Sequence, residues 1–124
     1  MTNIDIIRRI TALAERDPRY KREAYFFLLA ALEHTLEHLS AVRHLTGQEL
    51  SRGVADYARN QFGWMAREVL GHWGIHATAD FGEIVYLLIG EGLMSKTEED
   101  RKEDFEGVYD FDAEFAWEQV KPGR

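Results

Sequence analysis

Apolar residues recur every three to four positions through most of the chain, the spacing of an α-helix with one buried face. Residues 3–16 show it first: Ile6 or Ile7, Ile10, Leu13 and Ala14 share a side, and Thr2 or Asn3 stands where a helix is capped. Asp17-Pro18 predicts the stop, because the residue before proline avoids the α region. The strongest helix is predicted over 19–42. Tyr25, Leu28, Leu29, Leu32, Leu36 and Leu39 form one stripe there, with Phe27 and Ala31 on another side, the pattern of a central helix. Thr46 and Glu49 make a capping box ahead of Leu50, Val54, Tyr57 and Ala58. A short helix is predicted over 64–73, with Met65, Val69, Leu70 and Trp73 as its apolar residues and Gly74 as its left-handed stop. Thr78 is expected to cap a last helix to about Glu91, built on Phe81, Ile84, Val85 and Leu88. The predicted fold is all-α or nearly so: five to six helices in one compact domain over residues 1–124.

The tail breaks this pattern. Residues 96–124 are acidic, yet 96–118 hold Phe105, Tyr109, Phe111, Phe115 and Trp117. Five aromatics predict a segment packed back on the helices, as short helices after Thr97 and near Asp110 or as a small C-terminal β-hairpin. The hairpin version gives a winged-helix-like core at 46–111, with Leu93–Lys96 and Val108–Phe111 as wing strands.

Charge narrows the function. The net charge is −7. Residues 1–60 carry nine Lys/Arg against eight Asp/Glu, and residues 61–124 six against fourteen. An acidic second half repels a phosphate backbone. Segment 78–92, the DNA reader of a winged helix, contains no Arg, Lys, Asn or Gln to contact bases. DNA binding therefore requires Arg8, Arg9, Arg16, Arg19, Lys21 and Arg22 to gather beside that helix. The chain has no cysteine, so thiolate catalysis and thiolate metal sites are excluded. No apolar run suffices for a membrane span and the N-terminus carries no signal core, so a soluble, cytoplasmic protein is expected.

Four stretches resemble an uncharacterised family of short bacterial proteins of unknown function, over about residues 20–115. They are YKREAYFFLLAALEHT, TGQEL, DYARNQFGWMAREVLGHWGI and TADFGEIVYLLIGEGLMSKTEEDRKEDFEGVYDFDAEF. The resemblance implies a self-contained domain and no activity, ligand or site residue.

Candidate chemistry is sparse. His34-Thr35-Leu36-Glu37-His38 matches the H-x-x-E-H pattern of one class of zinc peptidases, and histidines at i and i+4 can reach one metal. They are candidate metal ligands for a small metal-dependent hydrolase; the alternative is two histidines on a polar face opposite the leucine stripe. His72 and His76 flank a helix stop, where histidines commonly meet the last carbonyls. Residues 110–114 look like a calcium loop, but Phe115 replaces its glycine and Lys121 its last carboxylate. A loose cation site among Asp100, Asp104 and Asp110 has no supporting pattern. Ser40, Ser51 and Ser95 lie in no nucleophile elbow. Gly90 and Gly92 follow a helix and do not open one, unlike a phosphate loop. No catalytic constellation and no cofactor are implied. The expectation is a non-enzymatic protein-interaction or regulatory module, with a protein partner or self-association, not nucleic acid or membrane. Its candidate interaction residues are Trp64, Trp73, Phe105, Tyr109 and Phe111. Tryptophans favour interface hot spots, but they also serve as core residues in a small domain.

Overall fold

The computed structural model describes residues 2–116, and they are all-α. The elements are α1 (Asn3–Arg16), α2 (Arg22–Glu37), α3 (Gly47–Phe62), a 3-10 turn (Gly63–Met65), α4 (Ala66–His72) and α5 (Thr78–Gly90). A second 3-10 turn (Lys102–Phe105) and the single turn α6 (Phe111–Glu114) follow. Trp117 and Lys121 lie outside the described residues. Among the described residues no helix is long and apolar enough to cross a membrane.

α2 is the central helix, packed against α1, α3 and α5. Tyr25, Leu28 and Ala31 of α2 are fully buried, as are Ile10 of α1, Val54 of α3, Leu70 of α4 and Phe81, Ile84 and Leu88 of α5. Each large apolar side chain so buried contributes about 1.5–3 kcal/mol. α2 and α3 run antiparallel and very close. Thr35 Oγ1 folds back onto the Ala31 carbonyl at 2.7 Å, and Gly53 of α3 faces it. A Cβ on Gly53 would stand 2.0 Å from that hydroxyl oxygen.

The capping signals resolve clearly at two starts. Thr2 caps α1 reciprocally with Asp5, and Thr46 caps α3 reciprocally with Glu49. At α5 the expectation fails. Ala77 is the N-cap, and Asp80 accepts from the amides of His76 (2.8 Å) and Ala77 (3.1 Å). Thr78 is buried inside the helix, where its hydroxyl accepts from the Val108 amide at 3.1 Å. One aspartate thus satisfies two free amides and releases the threonine to bind the tail. α2 is also shorter than the predicted 19–42. The Lys21 amide turns away to donate to the Trp73 carbonyl at 3.1 Å, and between Glu37 and α3 only Leu39 and Leu45 pack on the core, with Val42 fully exposed.

α4 ends in a Schellman arrangement: Ile75 donates to the Leu70 carbonyl at 2.9 Å and Gly74 to that of Gly71 at 3.0 Å. Gly74 has φ +96°, and a Cβ there would meet the Arg19 carbonyl oxygen at 2.2 Å, so both conformation and space require glycine. Leu93 and Gly92 close α5 in the same way on Leu88 and Ile89. The buried residues of α4 are Ala66 and Leu70, and Met65 just before it is 40% exposed. The 3-10 turn before α4 shifts the phase of the pattern.

Among the described residues there is no strand, so the winged-helix wing and the terminal hairpin are absent. The reason is local. Asp100 accepts from the Thr97 amide at 2.8 Å, Asp104 from that of Arg101 at 3.1 Å, and Asp110 from that of Ala113 at 3.0 Å. These side-chain bonds curl the backbone into turns and compete with a strand ladder. The aromatics then anchor the turns. Phe105 seats against Gly82 of α5 and Gly47 of α3. Phe111 lies 5.7 Å from Phe81 and 5.3 Å from Phe115, and the Tyr109 hydroxyl donates to the Ser51 carbonyl at 2.8 Å. Arginines of the helices hold the tail's acids: Arg59 bonds Glu114 at 2.8 Å and Arg67 bonds Asp112 at 3.3 Å, with Arg67 also lying over the Phe111 ring.

Candidate functional site

Where α2 and α5 end, the docked tail leaves a gap. A cavity of about 330 Å³ opens between the last turns of α2, the start of α3, the second half of α5 and the segment 93–105. Its walls are largely apolar: Leu32 and Leu36, Leu45 and Leu50, Val85 and Ile89, Leu93, Met94 and Phe105. Leu36 belongs to the predicted core stripe yet is 40% exposed, because it faces this opening.

Charged groups gather at the rim. His44 Nε2 meets Asp100 Oδ2 at 2.5 Å, tying the α2–α3 connection to the tail. Burial alone would raise the Asp100 carboxyl. The Thr97 amide and His44 outweigh it and hold the group below the usual carboxylate value. Arg43 grips Glu49 through two bonds, at 2.9 and 2.6 Å. That pair and the Thr46 amide hold Glu49 down to about 2. Lys96 and Arg101 also line the cavity, as does Asp104; Lys96 Nζ donates to the Thr97 carbonyl at 3.2 Å, and neither cation forms a salt bridge with a carboxylate among the described residues. Tyr86 completes the wall, with its hydroxyl buried and without a hydrogen-bond partner. Burial first, then the carboxylates of Asp100, Asp104 and Glu103, raise its pKa. An unpartnered buried hydroxyl costs about 1–3 kcal/mol, which a ligand acceptor would relieve.

The candidate residues read from the sequence lie elsewhere, Phe105 excepted. Phe105 and Phe111 are 5% and 4% exposed and Tyr109 is half-buried, so in this fold all three hold the tail in place. Trp73 is half-buried beside Phe27 and Phe62, whereas Trp64 is 58% exposed. His34 near the end of α2 and His38 at its C-cap do lie side by side, with ring centroids 4.4 Å apart. His34 packs on Tyr57 of α3 at 4.9 Å, and His38 Nδ1 bonds the His34 carbonyl at 2.7 Å. Among the described residues no three His, Asp or Glu side chains are grouped as a metal site needs. Asp100, Asp104 and Asp110 cap three separate turns. Of the six N-terminal basic residues, three reach α5 or its C-cap residue Glu91, and each is engaged there. Arg9 donates to the Glu91 carbonyl at 2.9 Å, Arg16 bonds the Glu91 carboxylate at 2.6 Å, and Arg19 lies 3.8 Å from Glu83.

Tyr86, His44, Arg43 and Lys96 were not legible as site residues. They lie on three different segments, Arg43 and His44 side by side on the α2–α3 connection, and none has a local pattern. The one sequence signal was Leu36, an apolar residue whose stripe runs past the core. The chain matches no protein-family model, no curated protein and no solved structure.

Proposed function

We propose that the protein is a non-enzymatic binding module whose cavity takes a small amphipathic anion, with the apolar body inside and the anionic head at the rim. The observation that carries this reading is the cavity itself: apolar walls with Lys96 and Arg101 at the mouth, both free of carboxylate partners among the described residues. Its volume stands at the lower end of the range of ligand sites, about 300–1,000 Å³. A straight-chain carboxylate of medium length suits that shape and charge, and binding it would couple the 93–105 segment to α2 and α5. The test is a titration with an anionic naphthalene fluorophore, displaced by decanoate or by decanol. Decanoate is expected to displace the probe more strongly than the alcohol. Leu36→Trp, which fills the mouth from a part-exposed position, is expected to abolish binding, and Lys96→Ala with Arg101→Ala to erase the preference for the acid. Equal displacement by the alcohol, or no saturable binding, contradicts the reading.

A second reading, a protein-interaction module, rests on Trp64 and Met65, consecutive residues that are 58% and 40% exposed. Sedimentation velocity across a concentration series, with and without Trp64→Ala, tests the self-associating version. A concentration-independent monomer in both contradicts it.

A further inference from the structure

The opposite end of the α2–α3 pair carries a second concavity, of about 310 Å³, between the first half of α2 and the last turns of α3. Its walls are aromatic. Phe27, 6% exposed, forms the floor. Around it stand Tyr57 at 5.3 Å, Phe62 at 5.7 Å and Trp73 at 5.4 Å, measured between ring centroids. The Phe62 and Trp73 planes meet at 78°, making a corner. Tyr57 is backed from outside by the His34 ring. Phe26, Ala30, Gln61 and Glu23 complete the lining, and among the described residues Glu23 is the only charged one in it.

These features select a cation. Aromatic faces carry negative quadrupole density and attract alkylated ammonium groups, which shed water more easily than a bare ammonium. The carboxylate of Glu23 adds a full negative charge. The last turn of α3, ending at Phe62, directs the negative end of its dipole to the same region. Among the described residues no lysine or arginine lines the cleft to oppose it. We infer that this cleft is a binding site for a small quaternary ammonium compound, with Phe27, Tyr57, Phe62 and Trp73 packing on its methyl groups and Glu23 facing its charge. The inference is independent of the anion cavity, which lies at the other end of α2.

The test is a titration of the full chain followed by 1H–15N correlation spectra. The readout is the indole N–H resonance of Trp73, identified by its loss in Trp73→Phe. Choline and tetramethylammonium are expected to shift it saturably. The neutral isostere of choline, 3,3-dimethyl-1-butanol, has the same shape without the charge, and is expected to bind at least about tenfold more weakly. Glu23→Gln, a change at an exposed position, is expected to weaken choline binding several-fold. Equal binding of the neutral isostere, or no saturable shift with either cation, overturns the inference. A trimethyllysine peptide is the control for source. Binding no tighter than choline supports a small-molecule site, and binding of the peptide alone overturns it.

Discussion

Phe105 sits in the most acidic part of the chain and is nevertheless a core residue. Truncation to alanine tests this directly. The ring is 5% exposed and wedged against two glycines, Gly82 with a would-be Cβ contact at 3.0 Å and Gly47 at 3.1 Å. Neither glycine has a side chain that can relax into the space, so the void persists. Buried Phe→Ala changes cost about 3–5 kcal/mol when the surroundings cannot collapse. Domains of this size are stable by about 5–15 kcal/mol, so the loss is roughly a fifth of the total or more. Phe105→Leu, which keeps most of the volume, is expected to cost about 1.5 kcal/mol or less. Glu106→Ala next door, at an exposed position, should stay within about 0.5 kcal/mol of the parent. The assay is urea unfolding followed by far-ultraviolet circular dichroism, comparing midpoints at unchanged slope. A loss under about 1 kcal/mol for Phe105→Ala would refute the reasoning, because an aromatic displayed for a partner costs almost nothing to remove.

Gly53→Ala is expected to destabilise by about 1–3 kcal/mol through the Thr35 clash, and Thr35→Ala to recover part of that, a non-additivity that a double-mutant cycle in urea measures. The fully buried Tyr25 hydroxyl has no hydrogen-bond partner, and burial pushes its pKa up to about 12, so Tyr25→Phe should leave the melting temperature unchanged or raise it. A loss above about 1 kcal/mol would mean that the hydroxyl is satisfied. Glu49 is held down to about 2 from an ordinary 4.5. Because the folded pKa is the lower one, the unfolded chain takes up the proton first, so this contribution is complete above the ordinary value and is lost as pH falls toward 2. The group is partly exposed, which keeps its worth near that of a helix cap, about 0.5–1 kcal/mol. Glu49→Gln should flatten the decline of the urea midpoint in that acid window, and an unchanged decline would contradict the assignment.

Much of the fold was legible because its determinants are local. The capping boxes at Thr2 and Thr46, the helix stop at Gly74 and the stripes of α1, α3 and α5 all lie within a few residues of what they specify. The tail was legible as far as its packing, since aromatics in an acidic run need somewhere to go. Its shape was not. Whether Val108 joins a strand or bonds Thr78 depends on a threonine thirty residues away. Thr78 itself misleads, because threonine suits a cap, and only the presence of Asp80 in the fold shows that the cap is already made. The cavity was the least visible, since Leu36, His44, Tyr86 and Lys96 converge only once the tail has docked. The aromatic cleft was half visible: Phe27, Tyr57 and Trp73 were each identified as apolar, but nothing in their spacing shows that three helices bring their rings together.

The claim on which the rest depends is that the segment around Phe105 is folded onto α3 and α5 and so closes the cavity. Nuclear Overhauser contacts from the Phe105 ring of the intact chain test it most directly. Strong contacts to the α-protons of both Gly47 and Gly82 are expected. A Phe105 ring with no contacts beyond its own neighbours in sequence would contradict it.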